Sequence, residues 1–274
     1  MSHRTVIHPP GRFNLPNWGE VWAAREIFFR FGQKEILLRY RQTAVGVAWV
    51  FVQPLVAAGV FTIVFGGIAQ LPSGGVPYFI FAFAGQMAWS LFNNIVNRGA
   101  GSLVANLALV QKVFFPRIIV PLSVLTSILL DFAVSFGLFV VLLFVFGINP
   151  GWPILLLPIW VLMTVLLAMG IGLAASSWMV KYRDVQYFLP WFMQILMYAS
   201  PIAYSMEAVD DVGLQWLFNL NPITWLMEAY RWSLLGQAAP EAWQVIALAV
   251  AALVSISWGI LVFQRTERLF ADII

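Results

Sequence analysis

QTAVGVAWVFVQPLVAAGVFTIVFGGIAQLPSGGVPYFIFAFAGQMAWSLFNNIVN, residues 42–97, carries no charged side chain. Arg41 and Arg98 bound it, and Gly66-Gly67 and Leu71-Pro72-Ser73-Gly74-Gly75-Val76-Pro77 interrupt it. Glycine and proline at that density mark a turn, because neither sustains a helix interior. A helix rises about 1.5 Å per residue and a bilayer core is about 30 Å thick, so about 20 apolar residues make one crossing. The stretch therefore reads as two membrane-spanning helices joined by a turn, and the chain as a polytopic membrane protein.

The rest of the chain agrees. Of its 274 residues 61% are hydrophobic and only 10% charged, where a soluble domain carries about 25% charged residues. The pI near 9.4 does not point to nucleic acid, since the basic residues sit in short loops and not on one face. With no cysteine, a disulfide framework or thiolate metal site is excluded. His3 and His8 are the only histidines and fall in the polar N-terminal tail, which excludes a His-based metal site or triad inside the membrane. Residues 1–20 carry Pro9, Pro10 and Pro16 and no apolar core, so they are not expected to be a cleavable signal. One membrane domain is expected over 1–274: a cytoplasmic tail with an interfacial helix over 1–42, a six-span core over 43–264 and a tail over 265–274.

The expected fold is all-α and transmembrane. Its six spans are Thr43–Phe65, Tyr78–Val96, Ile118–Phe146, Pro153–Val180, Val185–Ser205 and Ala242–Phe263, with Asp131 the single charge in the third. This division leaves all but one of the fifteen Lys and Arg on one side, Arg231 being the exception. Basic loops face the cytoplasm, so both termini are expected there. The last external segment, Met206–Glu241, is rich in Trp and Leu although it connects spans five and six. Short re-entrant helices with a bend at Asn219, Asn221 and Pro222 suit it better than a solvated loop.

Before the first span, Trp18, Val21, Trp22, Phe28 and Phe29 recur at helical spacing, with Arg25, Glu26 and Arg30 between them. Asn17 and Glu20 form an Asn version of the capping box. This amphipathic helix lies in the membrane interface, either as an anchor or as a collar that gates an opening or touches a partner. Asp131 has two readings as well: a protonated or hydrogen-bonded acid clipping helices together, or a direct part in gating or the substrate path. The loop Gly99–Pro116 ends in Lys112, Phe115 and Arg117, an apolar and basic tip that suits a docking surface for a soluble partner or a helix lying on the bilayer. None of the three lysines follows a glycine, so the chain has no Walker loop and any ATP would have to be hydrolysed by another polypeptide.

Taken together, Leu38-Arg39-Tyr40-Arg41-Gln42-Thr43-Ala44-Val45-Gly46 with Gln53-Pro54, Lys112-Val113-Phe114-Phe115-Pro116-Arg117, Lys181-Tyr182-Arg183-Asp184-Val185, and Asn221-Pro222 through Glu228, Arg231 and Leu234-Leu235-Gly236 resemble a known family. It is that of the permease subunits of ABC transporters exporting surface polysaccharides and polyol phosphates, the O-antigen, capsule and teichoic-acid exporters. The resemblance implies a homodimer of six-span subunits and two copies of a cytoplasmic P-loop ATPase that carry the ATP and Mg. It implies a lipid-linked polysaccharide, O-antigen-like, as cargo. It also implies that Arg98, Lys112, Phe115, Arg117, Lys181, Arg183 and Asp184 belong to ATPase-coupling loops. Re-entrant helices bearing Asn221, Pro222, Glu228 and Arg231 would cap the channel outside. For a sliding glycan, stacking on aromatic rings gives weak, repeated contact; Trp89, Tyr198 and Tyr204, near polar span positions, are the candidates. The chain itself is then not an enzyme. The rivals are an ABC exporter of small lipids or drugs, an ion-coupled carrier, and a polytopic membrane transferase.

Overall fold

The computed structural model describes residues 16, 18–40, 48–113, 115–210, 213 and 215–267, and among them every regular element is helical. Two helices, α1 (Trp18–Ala23) and α2 (Arg25–Tyr40), precede α3 (Ala48–Phe61), which continues through a π-helical turn to Ile68. Then come α4 (Tyr78–Ala105), α5 (Leu107–Lys112), α6 (Ile119–Phe146), and α7 (Leu157–Lys181) after a 3₁₀ turn at Trp152–Leu156. The chain finishes with α8 (Val185–Tyr198), α9 (Met206–Asp210), α10 (Gln215–Phe218), α11 (Pro222–Leu235) and α12 (Ala242–Glu267). Five stretches are long and apolar enough to cross a bilayer: Phe51–Ile68, α4, α6, Trp152–Lys181 and α12. The expected capping box at Asn17, and Thr43 at the start of the first span, lie outside the described residues.

α4 is the central post, buried over most of its length and packed against α3, α6, α7 and α11. Small residues let helices approach where no water drives them together. A Cβ on Gly170 of α7 would collide with the Ser255 backbone of α12, and one on Gly259 with the Gly170 carbonyl. Ser255 Oγ donates to Leu167 O across the same seam at 2.8 Å. Buried hydroxyls are quenched within their own helices: Ser102, Ser123, Ser176 and Ser177 each donate to the carbonyl three residues back. The outer surface is apolar, with Phe144 83%, Leu155 77% and Ile68 76% exposed. That arrangement suits lipid and not water.

Two ends of the bundle can be told apart. Gln237 Nε2 donates to Ser73 O at 2.9 Å, and Gly236 lies against Asn149 O and Pro150 O, so the turns at 73, 149 and 237 share one end. At the other, basic end, Lys34 Nζ meets Asn106 Oδ1 at 2.6 Å and Arg117 Nη1 meets Glu267 O at 3.0 Å. α7 starts beside α11 through Trp160 and Ser233 and ends beside α12 through Trp178 and Trp258. The chain between Lys181 and Ala242 therefore travels from the basic end back to the other.

Three boundaries differ from the sequence reading. Gly66-Gly67 is not turn but π-helix, and the bend starts at Ala69; a Cβ on Gly66 would stand 2.7 Å from the Tyr78 ring, so glycine serves close packing there. The second span does not stop at Val96. α4 runs on through Arg98 to Ala105, because the guanidinium finds partners inside the protein. The expected fifth span, Val185–Ser205, is helical only to Tyr198 and contains Pro190. At 14 residues it extends about 21 Å, short of a full crossing.

Candidate functional site

A polar stripe on an otherwise apolar helix builds the site. Gln86, Ser90, Asn93 and Asn97 recur along α4 at helical spacing and are only half-buried, while their neighbours on the other faces are packed away. Facing this stripe are Gln53 on α3 and Ser135 on α6, and between them lies a cavity of about 340 Å³. Pro54, inside α3, also lines it. Gln86 Nε2 leans on Ser90 Oγ at 3.4 Å. Asn97 Nδ2 donates to Asn93 Oδ1 at 2.8 Å. Trp89 lines the same cavity, 4% exposed, with its ring 5.7 Å from that of Phe92. Of the three aromatics singled out from sequence, the cavity takes in Trp89 and neither Tyr198 nor Tyr204. Tyr198 is outward-facing, and Tyr204 donates to its carbonyl at 2.7 Å.

The cavity floor is a charged cluster drawn from three helices. Asp131 Oδ2 of α6 meets Arg39 Nη2 of α2 at 2.8 Å and Arg98 Nη1 of α4 at 3.7 Å. Arg98 Nη2 reaches Glu35 Oε2 at 3.3 Å and donates to Ser127 Oγ at 2.7 Å. The side chain of Asp131 is 9% exposed. Two guanidinium groups thus face this buried carboxylate, and opposite charges at contact distance offset the cost of burying it. The sequence offers a protonated or hydrogen-bonded clip or a direct part in gating or the substrate path, with no cation in view. Its partners lie far away in the chain, on elements that only packing brings together.

The basic end carries the expected coupling residues, with two differences. Lys112 is exposed at the end of α5 and Lys181 at the end of α7, with Arg183 and Asp184 exposed between α7 and α8 and Lys181 Nζ 4.9 Å from the Tyr182 ring centre. Phe115 is buried, its ring 5.6 Å from Phe31, and it fastens the loop to α2. Arg98 faces inward on α4, whereas the sequence grouping had put it in the loop. A groove of about 450 Å³ opens beside these residues, lined by Glu20, Lys112, Phe115, Arg117 and Glu267. On α1 and α2, Trp18, Trp22 and Phe29 are exposed, Arg25 lies 6.0 Å from the Trp22 ring, and Phe28 is half-buried beside Phe29.

At the other end, residues 199–205 are not helical although 200–203 and Ser205 are buried, and buried backbone must find partners. Side chains supply them. Asn221 Nδ2 donates to Ala199 O at 3.2 Å, Arg231 Nη2 to Ile202 O at 3.0 Å, and Tyr78 OH to Ala203 O at 2.5 Å. Asn221 also caps α11, its Oδ1 accepting from Ile223 N at 3.0 Å, with Pro222 at the first helical position. Arg231 is 4% exposed, over the Phe81 ring at 3.9 Å, and Glu228 accepts from Gln244 Nε2 at 2.8 Å. α4 comes so close to this break that only glycine fits at position 85, against Ile202 O.

A bundle of apolar helices around an amide-lined cavity, with exposed basic loops at one end, is the build of a membrane transport subunit. The chain belongs to the ABC-2 type transporter family, whose model matches residues 27–235. Among curated relatives, an O-antigen export system permease protein, RfbA of Myxococcus xanthus, is 27% identical over 92% of this chain and 97% of its own length. Its namesake from Klebsiella pneumoniae is 24% identical over 88% and 92%. The polysialic acid transport protein KpsM of Escherichia coli is 22% identical over 86% and 91%.

Sequence reading missed Glu35, Gln53, Gln86, Asn93, Asn94 and Ser135. The α4 residues had left a signal, since amides and a serine at positions 86, 90, 93 and 97 repeat on one helix face. Glu35 had none, because a carboxylate in a basic amphipathic helix looks like any solvated charge.

Proposed function

We propose that this chain is the permease subunit of an ATP-driven exporter that moves a lipid-linked surface polysaccharide, O-antigen-like, out of the cytoplasm. Two copies form the channel in a bacterial inner membrane, and two copies of a separate P-loop ATPase bind the basic end. The observation that carries this reading is the near full-length likeness to O-antigen export permeases in a chain that has no phosphate-binding loop of its own. The amide-lined cavity supports a hydroxyl-rich cargo, and the exposed Lys112 and Lys181–Asp184 loops support docking of the ATPase.

Six crossings fit this reading better than five. α8 and the irregular residues 199–205 together make the return passage that α7 and α12 require, and α11 tucks back among α4, α7 and α12. Both termini then lie on the cytoplasmic side with the basic loops. A push on the loop around Lys112 reaches α4 through α5, and α4 is tied to α2 and α6 by Arg98, Asp131 and Arg39. Nucleotide-driven motion at the basic end would so be delivered to the walls of the cavity.

The test is a mild-detergent pull-down from native membranes, with mass spectrometry of proteins and glycolipid. Recovery of a stoichiometric P-loop ATPase and a lipid-linked glycan is expected. Recovery of the chain with no nucleotide-binding partner overturns the reading.

A further inference from the structure

We infer that the cavity between α3, α4 and α6 is a binding site for an uncharged sugar residue, so that the transporter accepts neutral glycans over acidic ones. The inference rests on the exporter reading and names the substrate class within it. Its first support is electrostatic. Among the described residues Arg39 and Asp131 are the only charged ones lining the cavity, and they face each other at 2.8 Å. Their charges cancel, and Asp131 also faces Arg98. An acidic sugar entering here would shed water from its carboxylate beside guanidinium groups already shared with Asp131 and Glu35, and a buried charge without a full partner is costly.

The second support is the hydrogen-bonding character of the walls. Gln53, Gln86, Asn93 and Asn94 bring four carboxamides, and Ser90 and Ser135 two hydroxyls. A carboxamide both donates and accepts, as a sugar hydroxyl does, so the two are matched without either carrying charge. Gln86 Oε1 is buried and has no hydrogen-bond partner among the described residues. An orphaned acceptor inside a helix bundle calls for a donor, and a sugar hydroxyl supplies one.

Size and position agree. The volume of about 340 Å³ lies at the small end of the roughly 300–1,000 Å³ of ligand sites, room for a unit of a polymer and not for a folded chain. Trp89 gives one wall an aromatic surface for the C–H face of a ring. Among the described residues no cluster of metal ligands lies here and Arg39 is held by Asp131, so contacts are weak and suit a chain that must slide onward.

The experiment uses the chain purified with its ATPase in nanodiscs and measures saturation-transfer NMR with three probes: linear mannotetraose, a rhamnose tetramer and a tetramer of α2,8-linked sialic acid. At least one neutral tetramer is expected to bind tenfold or more tightly than the sialic acid tetramer. Gln86→Leu combined with Asn94→Leu should weaken neutral binding at least fivefold. Ser135→Ala, a smaller change should that pair fail to assemble, should weaken it about twofold. Equal or tighter binding of the sialic acid tetramer, no binding of any tetramer, or neutral binding that no variant alters overturns the inference. Failure here is separable from failure of the exporter reading. An ATPase co-purifying with an acidic glycolipid sinks the neutral-sugar site and leaves the exporter standing, whereas absence of any ATPase sinks the exporter itself.

Discussion

Asp131 shows how much one side chain can hold when its partners come from other helices. Its carboxylate faces Arg39 and Arg98, so Asp131→Asn leaves two guanidinium groups facing each other across a neutral amide. Full burial would make that loss severe, but Arg39 is about a third exposed and Arg98 about a quarter, and water screens them. A destabilisation of about 1–3 kcal/mol is expected, measured by thermal unfolding of the purified protein. An unchanged midpoint would show that the ion pairs contribute nothing. Arg231 is the second such residue. It is buried and is the donor to Ile202 O, so Arg231→Met leaves that carbonyl unsatisfied in a dry environment. A loss of about 1–3 kcal/mol is expected in the same assay, and stability equal to the parent would show that residues 199–205 do not depend on it.

Among whole helices, closeness decides the packing. α7 and α12 meet where Gly170, Ser255 and Gly259 admit no added carbon, and α4 meets the break after α8 where Gly85 faces Ile202 O. Gly170→Val or Gly259→Val should force the pair apart and cost several kcal/mol, in the range of an overpacked core or more; recovery of folded protein at parental yield and midpoint would refute the close crossing. Gly137 on α6 has open space around its missing Cβ. Gly137→Ala should be neutral or stabilise by up to about 1 kcal/mol, and it serves as the control. α8 was expected as a full crossing because residues 185–205 hold no charged residue. Its shortfall has a clear cause: Pro201 and the small residues around it give up helical hydrogen bonds, and Asn221, Arg231 and Tyr78 replace them from elsewhere in the bundle.

Topology and partnership belong to the molecule as a whole. The chain has no cysteine, so single cysteines report sidedness without background. Lys112→Cys and Thr266→Cys should label from the cytoplasmic face, and Ser73→Cys and Ala238→Cys from outside. Five crossings would move Thr266→Cys to the outer group and refute the sixth. Lys112→Glu and Arg183→Glu, both at exposed positions of the basic end, should weaken ATPase association by about tenfold while membrane insertion persists. Pull-down unchanged in both variants would remove these loops from the coupling surface. If α1 and α2 act as a surface anchor, Trp18→Ser with Trp22→Ser should loosen the N-terminal region from lipid, read as greater protease access.

The amino-acid sequence alone determined what depends only on composition along the chain. A helix satisfies its own backbone, so length without charge specifies a membrane helix before any neighbour is considered. That is why Tyr78, Ile119, Trp152 and Ala242 begin long apolar helices close to where they were expected. That Lys112, Lys181 and Arg183 lie exposed at one end has a similar local reason: each sits at or beside a helix terminus. The tertiary structure decided everything that needed two distant segments at once. α4 continues through Arg98 because Glu35 and Asp131 receive the charge. Residues 199–205 leave the helix because donors from α4 and α11 meet their carbonyls. Gln53, Gln86 and Ser135 become one cavity because three helices pack with a gap between them. Burial of a charge or a bare carbonyl is affordable only with a partner, and packing, not local sequence, chooses that partner.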